Sequence, residues 1–368
     1  MKCTIKREAI IKPLQQVCSV IERRQTLPIL SNLLLRAGKE QSNMTGTDLE
    51  LEVVCPLSFE EVDEDGEVTL PARKFLDICR ALPEQAVIEL SQPKGKEQAV
   101  VKSGKSRFTL SVLPASGFPN MEAMQKTQTL RLPQAQLKNA ITKTQFAMAQ
   151  QDIRYYLNGM MLELGTGEIN LVATDGHRLA MCTTAVEIKE TEQRQVIIPR
   201  KGVIEIGRVL SDTGGDVEVR LGTNHIQFDT GESLITSKLI DGRFPDYRGV
   251  MPKCDKTLTA DTEQLKQALV RTSVLANEKY RSVRLQLSDG SMKLHTHNPE
   301  QEEAEEEVAI EYVGKDLEIG FNATYLLEAI TATGGERVQI EVSDPNSSCL
   351  IQGVGKGNCK YVVMPMRL

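Results

Sequence analysis

The sequence predicts an α+β protein of three tandem, similar domains, with antiparallel sheets and with helices gathered on one side of them. Three observations lead there. A helical segment, LPARKFLDICRAL from Leu70, recurs as IPRKGVIEIGRVL from Ile198 and as FNATYLLEAITAT from Phe321, at a nearly constant interval. Short apolar runs with strand periodicity recur at the same interval, joined by turn residues. At 368 residues the chain is too long for one ordinary core and long enough for two or three.

In the first repeat, Glu8 to Val20 leads with Ile10, Leu14, Val17 and Ile21 at helical spacing. SNLLLRA from Ser31 and a strand containing TGTDLELEV from Thr45 follow. Pro71 then starts a helix with Phe75, Cys79 and Leu82 on one face and Arg73 and Arg80 on another, and GFP at Gly117 closes the repeat. The second repeat has a helix after Pro133 with Leu137 and Ile141, the strand LNGMMLEL from Leu157, and a strand containing VATDGHRLA. Its second helix starts at Pro199 with Val203, Ile206 and Leu210, and RFP at Arg243 closes it. In the third, Asp261 and Gln264 resemble a capping box before Leu265 and Leu269. VRLQL from Val283, LHTHNPEQEEAEEE from Leu294, a helix capped by Asn322 with Leu326, Leu327 and Ile330, and the terminal YVVMPMRL complete it. The expected boundaries are 1–126, 127–254 and 255–368.

Composition narrows the function. Hydrophobic residues are 40% and charged residues 26%, which suits a folded, soluble chain. The N-terminus lacks the apolar run of a signal peptide, and no segment approaches the roughly 20 apolar residues of a membrane span. Eight scattered cysteines without a CxxC pair suit a reduced, cytoplasmic protein. The net charge of −6 excludes a uniformly basic surface but not a local one. Positive residues gather on the helices (Lys12, Arg23, Arg24, Arg73, Lys74, Arg80, Lys138, Lys143, Arg200, Lys201, Arg208, Lys266, Arg271), and acidic residues on strands and loops. KSGKSRFTL in the first repeat carries Lys102, Lys105 and Arg107 beside Phe108 and Leu110, whereas the third carries Glu302, Glu303, Glu305, Glu306 and Glu307. Opposite charge at opposite ends of a chain favours head-to-tail pairing of two copies.

No cofactor or metal site is expected. Gly104–Ser106 lacks the earlier glycine of a phosphate loop, and His295-x-His297 has no nearby third ligand. LVATDGHRLA, Leu171 to Ala180, brings Asp175, His177 and Arg178 together and, as one strand, sets Asp175 and His177 on one face. An enzyme using that pair is one reading, and a monomeric protein-binding repeat scaffold is another. The counterpart TGTDLELEV keeps the Asp but lacks His and Arg, and no other part of a catalytic constellation is visible. In QDIRYY, two neighbouring tyrosines on a strand could not both point inward.

Taken together, TLPILSNLLL from Thr26, TGTDLELEV, QDIRYYLNGM from Gln151, VATDGHRLA, DGRFPDYRGVMP from Asp241 and YVVMPMRL resemble the bacterial sliding clamps, the β subunits of DNA polymerase III, over the whole chain. That resemblance implies a non-catalytic, head-to-tail homodimeric ring, helices lining the hole and sheets outside. Such a ring encircles double-stranded DNA without sequence preference. It tethers the replicative polymerase, the clamp loader and other clamp-binding proteins through short peptide motifs. By the same resemblance Arg24, Arg73, Gln151, Tyr155 and Tyr156 contact DNA. Leu157, Thr174, Gly176, His177, Arg178, Leu179, Pro245, Val250, Asn322, Tyr325, Ser348 and Val362, Val363, Met364, Pro365, Met366 and Arg367 form a partner-peptide groove. Lys74, Val274 and Leu275 join Lys105, Arg107, Phe108, Leu110, Glu302, Glu303 and Glu306 at the dimer interface. The sequence departs from the family pattern at Gly249 and Asn346, both expected at the groove rim.

Overall fold

The computed structural model describes residues 1–22, 27–121, 124, 128–186 and 193–367. The predicted helices form where the apolar stripes place them: α1 Arg7–Val20, α2 Ala72–Ala81, α3 Gln134–Thr144, α4 Arg200–Val209, α5 Thr262–Ser273 and α6 Ala323–Thr333. Ile10, Leu14, Val17, Phe75, Leu137, Val203, Leu265 and Ile330 are all buried, so each stripe is a core face. Two caps act as the sequence indicates: Asp261 accepts from the Gln264 N–H at 2.8 Å and Asn322 from the Tyr325 N–H at 3.2 Å.

The chain folds into two compact units. Met1–Ala135 with Ile204–Leu239 holds a five-stranded and an eight-stranded sheet, all their ladders antiparallel. The smaller sheet ends on Ser106–Ser111, which among the described residues pairs only with Gln98–Ser103. The larger joins strands of two repeats, because Leu234–Lys238 pairs with Leu51–Pro56. Helix α1 lies on Asn43–Thr47 and Leu51–Pro56. It comes so close that a Cβ on Gly46 would stand 2.6 Å from Val17 Cγ1 and 2.9 Å from the Val17 carbonyl.

Gln136–Val203 with Ile240–Leu368 is built on one twelve-stranded sheet. Its middle repeat contributes Gly159–Leu164, Glu168–Thr174, Arg178–Ala185 and Arg194–Pro199, and its third repeat the rest. The seam is the antiparallel pairing of Arg178–Ala185 with Lys356–Val363. Helices α5 and α6 pack on each other, with α6 also against Cys349–Gly353.

Several expectations change here. LVATDGHRLA is not one strand but the end of Glu168–Thr174, a turn, and the start of Arg178–Ala185; TGTDLELEV likewise makes a hairpin. Asp-Gly at 175–176 is a strong hairpin signal, and it outweighs the apolar alternation. Tyr155 and Tyr156 sit on a 3-10 turn, Tyr155–Leu157, rather than a strand, so they separate for a different reason than alternation. Most of the acidic run is a strand, Glu303–Tyr312. Cys182 and Cys359 face each other across the seam with Cα atoms 4.1 Å apart and are joined as a disulfide, where the scattered cysteines suggested free thiols. Cys3, Cys18, Cys55, Cys79 and Cys349 are free and buried, and burial pushes the Cys3, Cys18, Cys79 and Cys349 thiols up to about 12.

Gly46→Ala should destabilise the protein by about 1–3 kcal/mol through overpacking against α1. Gly215→Ala, where an added Cβ meets nothing within 4 Å, should leave the thermal midpoint unchanged. Equal midpoints for the two variants in a circular-dichroism melt would contradict the tight α1 contact.

Candidate functional site: an apolar groove beside the last strand

The turn after Thr174 is organised by its own side chains. Asp175 Oδ1 accepts the backbone N–H groups of His177 at 2.9 Å and Arg178 at 3.1 Å. The Thr174 hydroxyl donates to the Arg178 carbonyl at 2.6 Å and accepts the Gly176 N–H at 3.1 Å. Gly176 has φ +88°, and a Cβ there would meet the Arg154 guanidinium at 2.9 Å, so both conformation and space require glycine. Asp175 is thereby committed to the turn. Its other oxygen takes Arg178 Nε at 3.0 Å, which leaves it no role in orienting the His177 ring and removes the geometry an acid–base pair needs.

Arg178 is equally committed. Besides Asp175, its guanidinium donates to the Phe146 carbonyl at 2.8 Å and to the Glu328 carboxylate on α6, and it lies 4.3 Å from the Tyr325 ring centroid. At 11% side-chain exposure it fastens the turn to α6 and to the segment after α3, and it is not a free hand for a peptide.

Beyond the turn, the seam forms the groove. Arg178 pairs with Val363 and Leu179 with Val362, and the Met364 N–H extends the ladder to the His177 carbonyl at 3.0 Å. Alternation sends Leu179 and Val362 into the groove and buries Val363 to 1% exposure. Tyr156 and Leu157 form a second wall; Pro245, Tyr247 and Val250 form a third. Below lies a core of Met161, Val172, Ile197 and Phe244. The groove encloses about 440 Å³, with Thr174, His177, Ser348 and Arg154 as its polar points. Arg154 is fixed by a fork onto Asp152 at 2.9 and 3.0 Å, which pulls the Asp152 carboxyl down to about 2. An apolar-walled, polar-edged trough of this size suits an extended segment with large apolar side chains.

Most expected groove residues therefore converge, from Leu157 through Leu179, Pro245, Val250, Ser348, Val362 and Met364. Others do not line it. Asn322 caps α6, Tyr325 packs behind on Arg178, and the Met366 N–H bonds the Gly320 carbonyl at 2.8 Å, beyond the groove. Pro365 and Arg367 are not among its walls, nor are Gly249 and Asn346. Tyr156, assigned to DNA, is a groove wall, whereas Arg154 and Tyr247 were not foreseen. Tyr247 falls in the triplet DYR at 246–248, within the DGRFPDYRGVMP stretch that carried the resemblance.

The first junction provides a comparison. There Ser237 pairs with Leu51 and Thr236 with Glu52, as Val363 does with Arg178 and Val362 with Leu179. A pocket of about 430 Å³ opens beside Thr47, Leu49 and Pro119. By ladder register Glu52, Thr236 and Lys238 stand where the second junction has Leu179, Val362 and Met364, and of these Lys238 lines the pocket. Size is matched, and the second pocket is the more apolar: the first mixes Leu49, Pro119, Met121 and Leu239 with Thr47, Asn120, Asn224, His225 and Lys238.

Of the DNA candidates, Arg24 lies outside the described residues. Arg73 is exposed and donates to the Ile21 carbonyl at 3.1 Å, Gln151 is exposed with φ +59°, and Tyr155 is 57% exposed. Some helix-borne cations are already paired: Lys12 with Glu232, Arg208 with Glu205, Lys266 with Glu263 and Arg271 with Glu306. At the expected interface, Lys74, Lys105, Arg107 and Val274 are exposed; Phe108 and Leu275 are half-buried and Leu110 is buried. Glu302 accepts from Asn298, Glu306 holds Arg271 in a fork and Glu305 lies 3.5 Å from Lys293, so part of the acidic strand's charge is already paired within the chain. His295 lies 3.5 Å from Glu303, and no group of three metal-ligating side chains occurs among the described residues.

Residues 1–122, 131–246 and 248–367 match the N-terminal, central and C-terminal domains of the DNA polymerase III beta subunit family. The beta sliding clamp of Pseudomonas putida is 51% identical and that of Escherichia coli 48%, each aligned over 100% of both chains. A crystal structure of the Pseudomonas aeruginosa subunit superposes with a TM-score of 0.97 at 51% identity, covering 100% of both chains. So does one of that organism's clamp bound to griselimycin, with the same score, identity and coverage.

Replacing Arg178 by Lys keeps the charge but loses the fork, so Arg178→Lys should cost about 2 kcal/mol. Urea unfolding followed by circular dichroism checks this; an unchanged midpoint would show that the Asp175, Phe146 and Glu328 contacts contribute nothing.

Proposed function

The chain belongs to the DNA polymerase III beta subunit family and acts as a DNA sliding clamp with no catalysis of its own, and we propose that the groove of Leu179, Val362 and Met364 is where its partners dock. The observation that carries this is the asymmetry between junctions: pockets of nearly equal size, of which the second has the more continuous apolar walls. A polymerase, loader or other partner would present a short extended segment whose large apolar side chains fill the trough. His177, Ser348 and Thr174 would meet the segment's polar groups. The solved relative that binds griselimycin supplies a probe for such a site.

Two copies would assemble head to tail. Ser106–Ser111 leaves one edge without a described partner strand, and it carries Arg107 next to Lys105. Residues 303–309 bond Ser291–His297 on one side, while only the far end, Ile310–Tyr312, pairs with Leu258–Ala260 on the other. An open basic edge and an open acidic edge on one chain complement each other between copies, and a contact of that kind closes into a ring when the rotation allows. Inside the ring Arg73, Gln151 and Tyr155, with Arg24, would touch duplex phosphates and bases without reading sequence. A cytoplasmic location follows from that work, and no described helix is long and apolar enough to cross a membrane.

Loaded onto nicked circular plasmid by a clamp loader, the protein should stay bound through gel filtration and be lost once the plasmid is cut. Equal loss from both forms would exclude enclosure of DNA. Deleting residues 364–368 should abolish griselimycin binding in a titration while sedimentation still shows a dimer; unchanged affinity would remove the groove assignment.

A further inference from the structure

One strand position differs in all three repeats. Arg36, Glu163 and Gln286 occupy equivalent places, each opposite a residue of the strand leading into the repeat's second helix: Glu67, Gln195 and Glu318. The Arg36–Glu67 and Gln286–Glu318 pairs are exposed cross-strand contacts at 3.2 and 2.9 Å. Glu163 is 6% exposed, because two residues of the linker after the second repeat lie over it.

Its carboxylate is used on both oxygens. Oε2 accepts from the Tyr247 hydroxyl at 2.6 Å, from Arg248 Nη2 at 2.7 Å and from Asn170 Nδ2 at 3.3 Å. Oε1 accepts from Gln195 Nε2 at 2.7 Å and Arg248 Nη1 at 3.1 Å. Arg248 also lies 4.8 Å from the Tyr247 ring centroid, so one guanidinium spans both linker and strand. Burial alone would raise this carboxyl; the hydrogen bonds from Tyr247, Gln195 and Arg248 outweigh it and hold the group below its ordinary value. The Tyr247 ring, 2% exposed, packs with Leu179 and Val362 and lines the groove next to Pro245 and Val250.

We propose that Glu163 is a positioning residue of the docking groove: from beneath, it fixes the linker in the placement in which Tyr247, Pro245 and Val250 make the third wall. The proposal rests on the groove reading above. Tyr247 alone could not choose this placement, since a buried ring without its hydroxyl partner has no directional anchor. Arg248 alone is largely exposed, and its fork has direction only because both Glu163 oxygens face it. The first repeat, with Arg36 at this position, has no such anchor among the described residues.

Griselimycin titration and limited trypsin digestion, which cuts after Arg248 when the linker is released, test this together. Glu163→Ala should weaken griselimycin about tenfold and speed the cut, with the dimer intact by sedimentation. Glu163→Gln, whose amide oxygen can still accept from Tyr247, should recover affinity to within about threefold, which a merely destabilised fold would not predict. Tyr247→Phe keeps the ring and loses only the hydroxyl; it should weaken binding and speed the cut in the same direction, and it carries the test if Glu163→Ala does not fold. Arg36→Ala, at the exposed counterpart, should change neither. Unaltered affinity and cleavage in Glu163→Ala and Tyr247→Phe, in a protein whose binding is abolished by deleting residues 364–368, would overturn the positioning role alone. Binding that survives that deletion would overturn the groove reading and this proposal with it.

Discussion

Everything about the groove depends on one ladder, the pairing of Arg178–Cys182 with Cys359–Val363. Neither strand alone could make a binding surface. The middle repeat offers an edge that would otherwise leave backbone N–H and C=O groups unmet, and the last strand meets them. Because the pleat alternates, the same pairing that satisfies the backbone also sorts the side chains: Val362 goes to the groove beside Leu179 and Val363 to the core. A slip of one residue would exchange them. The register is pinned from outside the ladder as well, by Arg178, whose contacts reach α6 and the segment after α3.

This arrangement separates support from recognition. Arg178, Asp175 and Glu163 are each heavily hydrogen-bonded, and their bonds run to the protein itself. What faces a ligand is mostly hydrocarbon: Leu157, Leu179, Pro245, Val250, Val362 and Met364. A trough whose walls are held in place before binding spares an incoming segment the cost of ordering the site as well as itself. Met364, 48% exposed and unbranched, is the wall best able to adapt to different occupants.

The sequence made the fold legible because the fold is repeated. Helix stripes, caps and strand runs each appeared three times, and the buried positions agree with them from Ile10 to Ile330. Turn chemistry was misread where it mattered most: Asp175-Gly176 reverses the chain, and a strand reading placed His177 and Asp175 side by side as though for catalysis. Partners distant in sequence were beyond reach of local pattern. Nothing near Tyr247 points to Glu163, nothing near Arg178 points to Glu328, and nothing in the spacing of eight cysteines singles out Cys182 and Cys359. Charge was read correctly as composition but not as availability, since Arg271 and Glu306, which looked like free surface charges of opposite roles, neutralise each other.

Repetition also explains why one groove per chain is enough to be specific. A duplicated scaffold creates duplicate pockets automatically, with the same ladder and nearly the same volume. Left apolar, the first would compete for the same segments and expose a second sticky patch. Lys238, with His225, Asn120 and Asn224, makes the first pocket more polar without touching the ladder, because side chains on a strand can change while its backbone pairing stays. Discrimination between the two pockets therefore rests on a handful of positions. Glu163 belongs to the same logic from the opposite side: at a position where the other repeats carry an exposed pair, it turns an ordinary cross-strand contact into the anchor of a wall.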